Sequence, residues 1–113
     1  MHEISICEGI IQVLEDQAKV KAFQKVNTLW LEIGPLASVE LDALRFSFEV
    51  VSRGTIAEGA DLQILQPPGQ AWCLSCAQTV SVNARYDTCP VCGGHQLQVT
   101  SGDELRIKEL DVA

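Results

Sequence analysis

Basic residues are scarce in this chain of 113 residues, which carries 8 Lys and Arg against 15 Asp and Glu and has a formal net charge of −7. Proteins bind nucleic acid largely through Lys and Arg side chains that neutralise phosphates. The cysteine-rich segment 70–99 contains a single basic residue, Arg85. The charge distribution therefore disfavours nucleic acid as a partner.

Long apolar runs are also absent from the sequence, so no segment is expected to span a bilayer. The first five residues, Met1 to Ser5, lack the basic and apolar regions of a signal peptide. We therefore expect no membrane partner and a cytoplasmic location, in which thiols stay reduced and available to metal ions.

Histidine is rare as well, with only His2 and His95 in the chain, and no Ser-His-Asp arrangement can be placed. The composition, 47 % hydrophobic and 20 % charged, is that of a globular protein. The sequence therefore gives little support for an enzyme.

Cysteine is the residue that carries most information. Cys73 and Cys76 form one C-x-x-C pair, and Cys89 and Cys92 form a second pair after a gap of twelve residues. Two such pairs supply the four thiolates that structural zinc prefers. Iron in a similar four-sulfur cage is the main alternative. Disulfides are disfavoured, because paired C-x-x-C motifs in a chain without a secretion signal point to metal.

The hydrophobic pattern predicts an α+β fold, in which two helices accompany a small mixed sheet that carries an inserted four-cysteine zinc ribbon. Ser38 is the expected N-cap of the second helix and Gly54 its expected end. The expected helices cover residues 3–22 and 38–54, and the expected strands cover 26–33, 61–66, 96–100 and 104–112. The predicted domains are an α/β domain, 1–69 plus 100–113, and a zinc-binding domain, 70–99.

The first three residues offer several nitrogen donors close together. These are the α-amine of Met1, the backbone amide and imidazole of His2, and the amide of Glu3, with the Glu3 carboxylate as a further donor. Adjacent nitrogens suit square-planar nickel(II) or copper(II). The positive end of the dipole of the first helix would oppose a bound cation, and the negative charges of Glu3 and Glu40 would offset this effect. The residues by themselves favour a simpler reading, a frayed terminus in which Glu3 stabilises the helix dipole.

Four other residues have simpler expected roles. Cys7 falls on the apolar face of the first helix, together with Ile4, and is expected to be a buried thiol. His95 is expected at the surface, since four cysteines already complete the metal site. Trp30 and Trp72 are expected to pack in the core and in the zinc module.

Several segments together resemble the HypA/HybF family, the nickel-insertion accessory proteins of [NiFe]-hydrogenase maturation. The segments are Met1-His2-Glu3-Ile4-Ser5, Trp30-Leu31-Glu32-Ile33-Gly34, Arg45-Phe46-Ser47-Phe48-Glu49 and the paired C-x-x-C motifs. The resemblance implies a metallochaperone with Ni(II) as transferable cargo and structural Zn(II). It also implies that the domain 1–69 plus 100–113 is the nickel-binding one. His2 would supply its imidazole to nickel, with backbone nitrogens of Met1, His2 and Glu3 as further donors.

The resemblance also implies partners for this chain. They are a nickel-handling GTPase and the hydrogenase large subunit, and a homodimer is a further possibility. Two other classes of function stay open on the residues alone. A zinc-ribbon adaptor would bind zinc alone and have an inert N-terminus, and a redox protein would use the cysteines as dithiols or iron ligands.

Overall fold

The computed structural model describes residues 2–113 and contains two helices and six strands in that range. The predicted α+β class with a four-cysteine module is confirmed. No helix in residues 2–113 is long and apolar enough to cross a membrane. In chain order the elements are α1 Glu3–Lys21, β1 Val26–Ile33, α2 Leu41–Val51, β2 Asp61–Leu65, β3 Gln70–Cys73, β4 Gln78–Ser81, β5 Leu97–Ser101 and β6 Leu105–Val112.

The strands form two three-stranded sheets with orders β2-β1-β6 and β4-β3-β5. By contacts the chain divides into two compact units. The first comprises Met1–Leu31, Val39–Gln63 and Ile107–Ala113, and the second comprises Glu32–Ser38 and Ile64–Arg106. Whether the chain divides by function into a nickel-binding and a zinc-binding domain stays a prediction.

Helix α1 contributes Cys7, Ile11 and Leu14 to the core of the first unit, at the three- and four-residue spacing of one helix face. Ile4, which we expected on the same face, is instead 56 % exposed. It lies in the first turn of the helix. Leu44 of α2 and Leu29 of β1 are fully buried in this unit.

The predicted boundaries of α2 are wrong at both ends. Ser38 has a positive φ of 59°, whereas an N-cap residue needs extended backbone. Glu40 has φ −81° and ψ 110°, which is extended backbone, and is the N-cap. The helix ends at Val51, three residues before Gly54, with Ser52 as its C-cap.

The second unit contains β3 and β4, two short strands that the sequence analysis missed. They pair antiparallel, with Ala71 opposite Val80 and Cys73 opposite Gln78. Strands of four residues show too few alternations to be recognised from the sequence. The buried cluster of this unit combines aliphatic side chains with cysteines, namely Leu36, Ala71, Cys73, Val80, Val82 and Cys89.

Three glycines bring backbone segments of the second unit into close approach. A Cβ on Gly34 would collide with the carbonyl group of Gly102, and a Cβ on Gly69 would collide with the carbonyl oxygen of Val82. Leu36 donates its N–H to the Gly102 carbonyl at 2.7 Å. The segment before Leu36 is therefore held against the rest of the unit by contacts that only glycine permits.

Candidate metal centres

The four cysteine sulfurs of the second unit lie within 4.8 Å of one another. The Sγ atoms of Cys73 and Cys92 are 3.8 Å apart, and those of Cys76 and Cys89 are 3.9 Å apart. A tetrahedron with zinc–sulfur bonds of about 2.3 Å has sulfur–sulfur edges of about 3.8 Å. A disulfide would need about 2.0 Å. The arrangement therefore fits a single tetrahedral metal ion such as zinc and does not fit disulfides.

The first C-x-x-C segment forms a tight turn around its leading cysteine. The N–H of Cys76 points at Cys73 Sγ at 3.4 Å, and the N–H of Ala77 donates to the Cys73 carbonyl at 2.8 Å. Ala77 adopts a left-handed φ of 53° to close the turn.

The second C-x-x-C segment repeats this geometry. The N–H of Val91 points at Cys89 Sγ at 3.4 Å, and the N–H of Gly93 donates to the Cys89 carbonyl at 2.8 Å. Gly93 has a φ of 72°, a left-handed conformation that glycine adopts without strain. Ala77 occupies the corresponding place in the first turn.

The thiols of the cluster differ in how readily they lose a proton. Hydrogen bonds from the backbone N–H groups of Cys92 and Val91 lower the pKa of the Cys89 thiol to about 7. The side-chain hydrogen bond with Cys92, followed by desolvation, raises the pKa of Cys76 to about 12. One thiolate therefore forms easily, while a full set of four needs a cation to offset the repulsion between them.

The N-terminal candidate site begins at His2, because Met1 lies outside the described residues. His2 is exposed and occupies the N-cap position of α1 with extended backbone, and its side chain makes no capping hydrogen bond. Its carbonyl oxygen accepts the N–H of Ile6 at 3.2 Å. The backbone of His2 thus joins the helix, while its imidazole makes no capping hydrogen bond.

The carboxylate of Glu3 contacts the start of the other helix. Its Oε2 atom accepts the N–H of Glu40 at 3.2 Å, and this hydrogen bond lowers the pKa of Glu3. Glu40 in turn accepts the N–H of Asp42 on Oε1 at 2.9 Å. Glu40 is thus the N-cap of α2. Sequence reasoning missed its contact with Glu3, because no local signal joins residues 37 positions apart.

Replacing Glu40 by alanine is expected to destabilise the fold. The change removes the acceptor for the Asp42 N–H and should lower the free energy of unfolding by about 0.5–2 kcal/mol. Glu40→Asp, which keeps a carboxylate at the cap, is the matched control. Urea unfolding of both variants gives the comparison, and an unchanged midpoint for Glu40→Ala would show that the cap contributes nothing.

The structure also shows the burial of the four residues for which simpler roles were expected. Cys7 is fully buried, as expected, and desolvation raises its pKa to about 11, so it is an unreactive thiol. His95 is exposed, as expected. Trp30 is partly buried, and Trp72 is 39 % exposed, so Trp72 packs over only part of its surface. Alternation along β3 gives the buried face to its neighbours Ala71 and Cys73.

Comparison with known proteins gives consistent matches over the whole chain. The family described as "Hydrogenase/urease nickel incorporation, metallochaperone, hypA" matches residues 1–112. The "Hydrogenase maturation factor HypA" of Azotobacter vinelandii is 61 % identical over 112 residues, and the alignment covers 99 % of this chain and 99 % of that protein. The protein of the same name from Rhodopseudomonas palustris (strain BisA53) is 57 % identical with the same coverage.

Solved structures share the fold. The solution structure of the Ni metallochaperone HypA from Helicobacter pylori superposes with a TM-score of 0.69 at 24 % identity, covering 99 % of this chain and 97 % of that one. These relatives are named as maturation factors and metallochaperones rather than as catalysts. With a family match from residue 1 to residue 112 and relatives near 60 % identity, the chain belongs to the HypA family of nickel-incorporation metallochaperones.

Proposed function

We propose that this chain binds Ni(II) at its N-terminus and, together with a partner GTPase, delivers it to the large subunit of [NiFe] hydrogenase. The observation that carries the proposal is the placement of His2, exposed at the start of α1 with a side chain that makes no capping hydrogen bond. Membership of a nickel-incorporation family supports nickel as the ion.

The proposed donors are the His2 imidazole and the backbone nitrogens of Met1, His2 and Glu3. The first N–H groups of a helix have no partner within the helix, so the amide of Glu3 is available at this position. The Glu3 carboxylate already accepts the N–H of Glu40. This contact favours the backbone nitrogen of Glu3 over its carboxylate as a nickel donor. Adjacent nitrogens of this kind suit a planar nickel(II) site.

The four cysteines are proposed to hold one structural Zn(II). Cys73 and Cys89 are buried, and each belongs to the apolar cluster of the second unit. Releasing a metal from these ligands would expose that cluster, whereas releasing nickel from an exposed chain end disturbs nothing packed. The two sites therefore have opposite characters, one suited to a retained ion and one suited to cargo.

The variant His2→Ala is expected to lose nickel binding and to keep zinc. The test is a nickel titration of zinc-quantified protein with its native Met1, because a tag would block the α-amine. Wild-type protein should bind one nickel per chain and the variant should bind none, with zinc unchanged at one per chain. His95→Ala, which removes the other histidine, is the matched control and should bind nickel as the wild type does.

The other candidate function is a zinc-ribbon adaptor without a nickel role. Equal nickel binding by the wild type and His2→Ala, or none by either, would favour the adaptor and defeat the nickel site proposed here. Delivery is tested separately, by adding nickel-loaded protein and the GTPase to metal-free large subunit. Nickel should reach the large subunit from the wild type and not from His2→Ala.

A further inference from the structure

A cavity of about 510 Å³ lies between α1 and β6 in the first unit. Its walls are mostly apolar. Two valines at its border are markedly exposed, Val13 at 47 % and Val112 at 38 %. The apolar residues that line it are Val13, Leu14, Phe23, Ile107, Leu110 and Val112.

Strand β6 forms one edge of its sheet, because the strand order is β2-β1-β6. Within residues 2–113 no further strand pairs with its outer side. Four consecutive residues, Ile107 to Leu110, line the cavity, so the main chain of β6 borders it as well as the side chains. An edge strand presents unpaired N–H and C=O groups to any added strand.

The dimensions of the layers also leave room at this edge. Helices α1 and α2 pack against each other, and two packed helices are about 8–10 Å apart. Their combined width matches about four strands at about 4.8 Å spacing. In the part of the chain that the structure describes, the sheet has three strands. A fourth strand beside β6 would cover the exposed apolar side chains of α1.

We propose that the outer edge of β6 binds an extended segment of another protein, which adds as a strand and places apolar and acidic side chains in alternation. The apolar side chains would enter the cavity. The acidic ones would project from the opposite face of the added strand and meet Lys108, which together with Lys21 supplies the basic residues of the lining. Glu109 is the single acidic residue among the lining residues, so the cavity has a net positive charge in an otherwise acidic chain.

A second copy of this chain is a poor occupant, because of how the charges fall along β6. In a two-fold antiparallel pair of β6 strands, directly opposed residues point their side chains to the same face of the sheet. Opposed residues are therefore both even-numbered or both odd-numbered. Registers centred on Lys108 or Glu109 place that residue opposite its own copy. A register centred on Ile107 places Arg106 opposite Lys108. A register centred on Leu110 places Glu109 opposite Asp111. Every central register therefore opposes like charges, which is destabilising.

The test uses zinc-loaded protein and a short blocked peptide in which Val and Glu alternate. Amide hydrogen exchange by NMR is expected to show new protection within residues 107–112 when the peptide is added, since strand addition forms backbone hydrogen bonds there. A peptide of the same composition without alternation is the control and should protect nothing. Lys108→Glu should weaken binding about tenfold. Lys19→Glu makes the same charge change outside the lining and should leave binding unchanged.

Three results would overturn the proposal. The first is an unchanged exchange pattern in β6 with the alternating peptide. The second is equal protection by the non-alternating peptide, which would indicate unspecific apolar binding. The third is protection of β6 that grows with protein concentration before any peptide is added, because a second copy would then be the occupant. None of these readouts depends on nickel.

Discussion

Cys89→Ser is expected to abolish zinc binding and to unfold the small sheet formed by β3, β4 and β5. Cys89 is 1 % exposed and belongs to a buried cluster that contains few large aliphatic side chains. Such a cluster supplies little hydrophobic stabilisation by itself. Structural zinc contributes about 10–16 kcal/mol of binding free energy in small zinc domains, and that energy is folding energy. Losing one ligand should therefore cost more than the sheet can tolerate.

The measurement combines zinc content per chain with the NMR signals of residues 70–101. Cys7→Ala is the matched control, because it also removes a buried thiol but lies in the first unit, and it should keep one zinc per chain. Acidification of the wild type should reproduce the loss of zinc, since protons compete with the metal for the four thiolates. Stoichiometric zinc and well-dispersed signals in Cys89→Ser would rule out a structural role for the four-cysteine site.

Gly34→Ala is expected to destabilise the protein by about 1–3 kcal/mol or more. The added methyl group would collide with the carbonyl group of Gly102, which is backbone and cannot rotate away as a side chain could. Two hydrogen bonds hold these segments in place, from Gly34 N–H to the Glu104 carbonyl at 2.9 Å and from Leu36 N–H to the Gly102 carbonyl at 2.7 Å. Relief of the clash would have to lengthen or break them.

The matched control for this change is Gly9→Ala, which adds the same methyl group in the middle of α1. Nothing lies within 4 Å of that position. Alanine has the higher helix propensity, so Gly9→Ala should stabilise by about 0.5–1 kcal/mol. Urea unfolding of the zinc-loaded variants should therefore shift in opposite directions. A midpoint for Gly34→Ala at or above that of the wild type would contradict the close approach of the two backbones.

Sequence patterns were most reliable where a single element carries the whole signal. Helix α1 and strand β1 lie where the periodicity predicts them, because each has many apolar positions at one repeat. The short strands β3 and β4 were missed for the opposite reason. The start of α2 was misplaced because Ser38 has a favourable side chain for a cap but a left-handed backbone, and that conformation depends on contacts outside the motif.

The candidate sites divide in the same way. Both cysteine pairs and the donors of residues 1–3 are adjacent in the chain, so their chemistry can be read from spacing, and the family resemblance they support is confirmed. The identity of the bound metals and the nickel ligands stay predictions. The hydrogen bond between Glu3 and Glu40 joins the starts of the two helices, and no spacing rule along the sequence predicts it.

The sequence by itself determined the elements with long periodic patterns, the two cysteine pairs and the family, because all of these rest on local order along the chain. Only the tertiary structure decided how the two pairs converge to sulfur separations near 3.8 Å, why Gly34 must face Gly102, and which strand edge is left unpaired. These features depend on contacts between residues far apart in sequence. Such contacts form only when the chain packs, and excluded volume and hydrogen bonding then select among the arrangements that local preferences allow.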